Sequence, residues 1–240
     1  MFWSGDAGTY SDAPKAASAI NRIGQFWKPW FYKYLETIQS TGSCTEYIPL
    51  RDYYHRHTSG MFWEMEEIIP FGNHPVFRFA CGWLMPPKAS LLKLTQGKTI
   101  KRLYEEKHVI QDMFMPVDTL SEILEVFEEQ FKVYPLWLCP FKLPQNPGLV
   151  HPKQDKTMMY VDVGAYSVPK VENFQAKKAL KCVEHFVCKK DGFQMLYADN
   201  TLTREEFGEM FDRELYDNVR ERYGCVNAFP DVYDKVGRHA

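Results

Sequence analysis

Residues 108–131 read "HVIQDMFMPVDTLSEILEVFEEQF", and the hydrophobic period changes partway along them. The first eight are apolar except for Gln111 and Asp112, the pattern of a buried strand. Pro116, with no N–H to give a ladder, closes it. Thr119 and Glu122 then stand at capping-box spacing. Leu120, Ile123, Leu124, Phe127 and Phe131 follow on one helical face.

The same logic extends toward the C-terminus. "YPLWLCPFKL" (134–143) is a second apolar strand, whose prolines assign it to an edge or an irregular position. "QNPGLVHPKQD" (145–155) is turn chemistry, and "MMYVDVGAY" (158–166) a third strand. A helix is predicted across 170–190, with Ala179, Val183, Phe186 and Val187 at core spacing, then a fourth strand in "GFQMLYAD" (192–199). Thr203 and Glu206 repeat the capping box and open a last helix carrying Phe207, Met210, Phe211, Leu215 and Val219. Strand, helix, strand, strand, helix, strand is the ferredoxin-like split β-α-β order: an α+β fold whose antiparallel sheet has helices on one face. The other face is left to cover a lipid, a partner or a second domain. A fold by itself names no chemistry.

Composition removes several function classes. The 240 residues are 45% hydrophobic and 25% charged, an ordinary globular balance, and the net charge of −2 supplies no general attraction for nucleic acid. Six scattered cysteines without a C-x-x-C pair read as reduced thiols rather than a disulfide framework. "FACGWLMPP" (79–87), the most apolar stretch, is about half of what a membrane span needs. The 14 glycines form no G-x-G-x-x-G and no phosphate-binding loop. Most of any nucleotide-cofactor site therefore belongs elsewhere.

Upstream, "MFW" and the small polar residues 4–19 read as a residual strand end and a flexible linker, with a single domain from 20 to 240. "FWKPWFYKYLETI" (26–38) is predicted to be helical after Pro29, with packing as its main role.

The blocks "EYIPLRDYYHRH" (46–57), "IIPFGNHPVFR" (68–78), "LLKLTQGKT" (91–99), "HVIQDMFMP", "YPLWLCPFKLP", "PGLVHPK", "GFQMLYAD", "REEFGEMFD" (204–212) and "FPDVYDK" (229–235) occur in this order. Together they resemble the C-terminal half of sterol-reducing members of the vanillyl-alcohol-oxidase-like flavoproteins, over residues 20 to 235. The resemblance implies a cap domain with a ferredoxin-like core that covers a flavin held by an N-terminal FAD-binding domain. It further implies reduction of a sterol side-chain C24=C25 double bond with FAD and NADPH, at the endoplasmic reticulum membrane. The FAD domain and membrane anchor have no match in these 240 residues, so the chain reads as a fragment or a short isoform, inactive by itself. The alternative is a binding module that grips sterol or a partner protein without catalysis.

Reduction of an unactivated alkene needs a hydride, a well-placed acid and a dry groove. In the full enzyme that the resemblance implies, "RDYYHRH" (51–57) is a strand end at the flavin. Tyr53, Tyr54, His55 and His57 are then candidate proton donors, and Arg51 and Arg56 candidate partners of an anionic cofactor group; otherwise the stretch is a polar surface turn. His55 and His57 have metal-ligand spacing, but no third ligand accompanies them and no metal is assigned. Gln111 and Asp112 point to opposite faces of their strand, so one alone can look toward the flavin; Gln111 ranks first and Asp112 second. Tyr197, Asp199, Tyr233 and Lys235 are candidate cofactor-side contacts, the last two having nothing to touch without the FAD domain. Ala198 departs from the cationic residue that related flavoproteins often place there. Lys93 as a phosphate contact reads equally as a side chain snorkelling to water, whereas Glu64 as an acid reads first as a solvated helix face, and Phe77, Phe79, Trp83, Trp137 and Phe141 as groove lining read first as plain core.

Overall fold

A computed structural model of the chain describes residues 19–41, 45–58, 66, 69–85, 107–154, 156–198 and 200–237. The chain divides into two compact units, residues 1–97 and 98–240.

In the first unit α1 spans Phe31–Thr41, α2 Leu50–Tyr54 and α3 Pro75–Cys81, the last running into a 3-10 turn at Gly82–Leu84. His74 caps α3, its Nδ1 accepting from the Val76 N–H, and Pro75 takes the first helical position, where a missing N–H costs nothing. Buried Trp30 and Tyr32 form the small core. Arg78 is buried beside them: its Nε donates to the Lys28 carbonyl at 2.9 Å and its guanidinium lies 5.7 Å from the Trp30 ring centre. "RDYYHRH" was expected at a strand end, and here the structure differs. Residues 50–54 form a short helix and 55–58 a turn, because Pro49 starts the helix and the Tyr53 and His55 N–H groups bond back to the Pro49 and Arg51 carbonyls.

The second unit is built on four strands, β1 Val109–Pro116, β2 Trp137–Leu143, β3 Met158–Ser167 and β4 Phe193–Gln194, with α4 Leu120–Gln130 and α5 Ala176–Lys189 between them. Every pairing is antiparallel and the spatial order is β2-β3-β1-β4. Pro140 sits in β2, at the edge, where its missing N–H breaks no ladder. The α+β class and the antiparallel sheet agree with the sequence reading.

Register sorts the side chains. Val109, Gln111, Met113 and Met115 pair with Ser167, Ala165, Val163 and Val161, and share one face. Met113, Met115, Val163 and Ala165 are fully buried in one core with Ile123 and Phe127 of α4 and Val183 and Val187 of α5. The opposite face carries Ile110, Asp112, Phe114, Tyr160, Asp162, Gly164 and Tyr166. The sequence reading left this face to cover a lipid, a partner or a second domain; in the structure its aromatic side chains pack on one another. Phe114 stacks on Phe193 at 4.9 Å and meets Phe141 edge-on at 5.4 Å, and both Phe114 and Phe193 are 8% exposed.

Three local expectations change. The Thr119 hydroxyl donates to the Pro116 carbonyl instead of capping α4, so that capping box does not form. β4 stops after two residues because the chain turns at 195–198. The last predicted helix is two: α6 Arg204–Met210, opened by the full Thr203–Glu206 capping box, and α7 Glu214–Arg222, on which Leu215 and Val219 are exposed. α8, Val232–Val236, follows. No helix among the described residues is long and apolar enough to cross a membrane.

Candidate active site

β1 and β3 bring two carboxyls to one face. Asp112 stands opposite Gly164, and Asp162 stands two pairs further along the ladder, opposite Phe114. The Met195 N–H donates to the Asp112 carbonyl at 3.1 Å, pinning the turn after β4 against β1 and bringing Tyr197 to the same place. The Tyr166 hydroxyl donates to Asp112 Oδ1 and the Tyr197 hydroxyl to Oδ2. Both oxygens of one carboxylate are thus occupied by phenols. Asp112 is 6% exposed and Tyr166 9%, whereas Tyr197 is 61% exposed and forms the wet rim.

Asp162 is treated differently. Burial, then the neighbouring Asp112 charge, pushes its carboxyl up to about 7, against a smaller opposing effect of the Trp137 indole. Its Oδ1 is buried without a hydrogen-bond partner in the structure. Burial and the bonds to Asp112 likewise hold the Tyr166 and Tyr197 phenols well above their usual range. Two carboxyls close together, one fixed as an acceptor and one disposed to keep a proton at neutral pH, make a site that can store and release a proton.

The sequence candidates scatter around this site. Gln111 is 3% exposed and points to the helix-covered face, so Asp112 is the member of that pair on the site face. Tyr197 joins the cluster; Asp199 lies outside the described residues. Tyr53, Tyr54, His55, Arg56 and His57 belong to the first unit. There Arg56 lies 4.2 Å from the Tyr53 ring centre, Tyr54 and His55 are exposed, and burial beside Arg56 pulls His57 down to about 4. Tyr233, expected to have nothing to touch, is 7% exposed: its hydroxyl donates to the Leu202 carbonyl, its ring packs on Phe207 and Arg204 covers it. Lys235 is exposed on α8. Phe141 packs inside the second unit, while Phe79 and Trp83 are exposed in the first, where Phe77 packs on Phe71. Glu64 and Lys93 lie outside the described residues.

Asp162, Tyr166 and the pairing role of Asp112 escaped the sequence reading. Their signal lies in "YVDVGAY": Tyr160, Asp162, Gly164 and Tyr166 alternate with Val161, Val163 and Ala165, a period-two pattern with a carboxyl on the non-core face.

A flavin, if held, meets residues that fit one side of it only. No glycine-rich turn for a pyrophosphate occurs among the described residues, whereas Trp137, opposite Gly164, and the Tyr197 phenol bring aromatic side chains to the face that carries Asp112. No family model and no solved structure matches the chain. Curated relatives do. The chain is 54% identical over 224 residues to the Delta(24)-sterol reductases of Rattus norvegicus and Homo sapiens, covering 93% of itself and 43% of each of them. It is 40% identical over 248 residues to the Delta(24)-sterol reductase of Arabidopsis thaliana, covering 95% of itself and 44% of that protein. The resemblance carried by the sequence blocks is therefore specific: the chain is similar to the Delta(24)-sterol reductases over 93% of its length and spans less than half of theirs.

Proposed function

We propose that this chain is the C-terminal, substrate-side part of a sterol side-chain reductase, with its sheet acting as a ferredoxin-like cap over the reaction site. The similarity to the Delta(24)-sterol reductases supports the reaction class. The observation that carries the reading is the face of β1 and β3, where Asp112 and Asp162 sit beside the Tyr166 and Tyr197 phenols. Flavin, when bound and reduced by NADPH, supplies the hydride. The residues of this chain bind the sterol end, exclude water and provide the proton. Trp137 and Tyr197 would take the planar ring or the apolar side chain, and the phenols hold Asp112 in place.

The test is a chimera. The matching segment of the Rattus norvegicus reductase is replaced by this chain and assayed in cells lacking the endogenous activity. Accumulation of sterol saturated at C24 supports the reading. A stably expressed chimera that leaves the C24=C25 bond intact overturns it.

A further inference from the structure

We propose, resting on the reading above, that Asp162 is the proton donor of the alkene reduction and that Asp112 is a positioning residue that keeps the proton on it. Four elements set this arrangement. β1 contributes Asp112, whose two oxygens are consumed by the Tyr166 and Tyr197 hydroxyls. β3 contributes Asp162 and Tyr166, which lie on the same face on either side of Gly164. β2 places Trp137 opposite Gly164 and Cys139 opposite Asp162. The turn after β4 brings Tyr197, the most exposed member.

The division of labour follows from the bonds. A carboxylate that accepts from two phenols has no proton to give. Asp162 has a buried oxygen without a protein partner and a negative neighbour that disfavours its ionisation. The electrons and atoms balance simply. A bound reduced flavin would supply hydride, with both electrons, to one alkene carbon. The O–H bond of Asp162 breaks, and its proton forms the new C–H bond at the other carbon. Asp162 is left as carboxylate and is reprotonated from water at the Tyr197 rim.

Two measurements test this. In the 240-residue chain labelled with 13C at aspartate carboxyls, one resonance should titrate near neutral pH and vanish in Asp162→Asn. If every aspartate of the folded chain titrates below pH 5, the proposal falls. In the chimera, Asp162→Asn should lower kcat on the order of 10²-fold or more with KM little changed, and Asp162→Glu should recover part of it. An active chimera whose Asp162→Asn variant is equally active overturns the role of Asp162 and leaves the sterol-reductase reading standing. A folded, inactive wild-type chimera overturns both.

Discussion

Gly164 stands opposite Asp112, and the Asp112 carboxylate occupies the space that a side chain at 164 would need: a Cβ there would lie 2.5 Å from Asp112 Oδ1 and 2.7 Å from the Tyr166 hydroxyl. The glycine is required by close approach on the site face. Gly164→Ala should cost about 1–3 kcal/mol of stability through overpacking. It should also displace Asp112 and Tyr166 from each other. Chemical denaturation measures the first, and the shift of the Tyr166 ring resonances the second.

The two phenols on Asp112 are unequal. Tyr166 is buried with it, so Tyr166→Phe leaves a buried carboxylate oxygen short of a donor and should cost about 1–3 kcal/mol. Tyr197 is at the rim, where water replaces its hydroxyl, and Tyr197→Phe should cost less than about 1 kcal/mol. A double-mutant cycle should show coupling, since both act on one carboxylate.

Asp162 makes stability depend on pH with a definite sign. Its folded carboxyl holds a proton up to about 7, while the unfolded chain gives it up near 3.8. The native state therefore binds the extra proton between those values, and this group's contribution falls as pH rises through that window. Asp162→Asn should raise Tm at pH 8 relative to wild type and change it little at pH 4. Calorimetry at the two pH values tests the sign.

His57 acts in the opposite sense on the acid side. Burial and Arg56 hold it neutral in the folded state down to about 4, whereas the unfolded chain protonates it near 6.5. Its contribution is present above 6.5 and is lost as pH falls toward 4. His57→Gln should flatten the stability curve over that interval, as read by denaturant midpoints at pH 4, 5.5 and 7.

His151 and Asp212 tie the loop after β2 to the start of α7, Nε2 to Oδ2 at 2.9 Å; Asp212 raises the imidazole, while the Glu214 N–H and then His151 lower the carboxyl. The stabilisation is complete below the usual histidine range and fades as pH rises through the raised value. Asp212→Asn should therefore cost up to about 1 kcal/mol at pH 6 and less at pH 9.

Much of this protein can be read along the chain. Period-two and helical spacing located β1, α4, β2, β3 and α5, because each of these elements buries a stripe set by its own repeat. The Thr203–Glu206 box formed as spaced, since both partners lie within one turn. Where a local pattern competed with a tertiary contact, the pattern lost. Thr119 gave its hydroxyl to Pro116, and β4 ended where the chain turns at 195–198. The site itself depends on register. Asp112 and Asp162 are 50 positions apart and Tyr197 lies farther along again; only the β1–β3 pairing and the turn after β4 bring them together. Sequence spacing along a strand says which residues share a face. It does not say which face of the finished sheet the helices cover, and that choice put Gln111 in the core and Asp112 in the site.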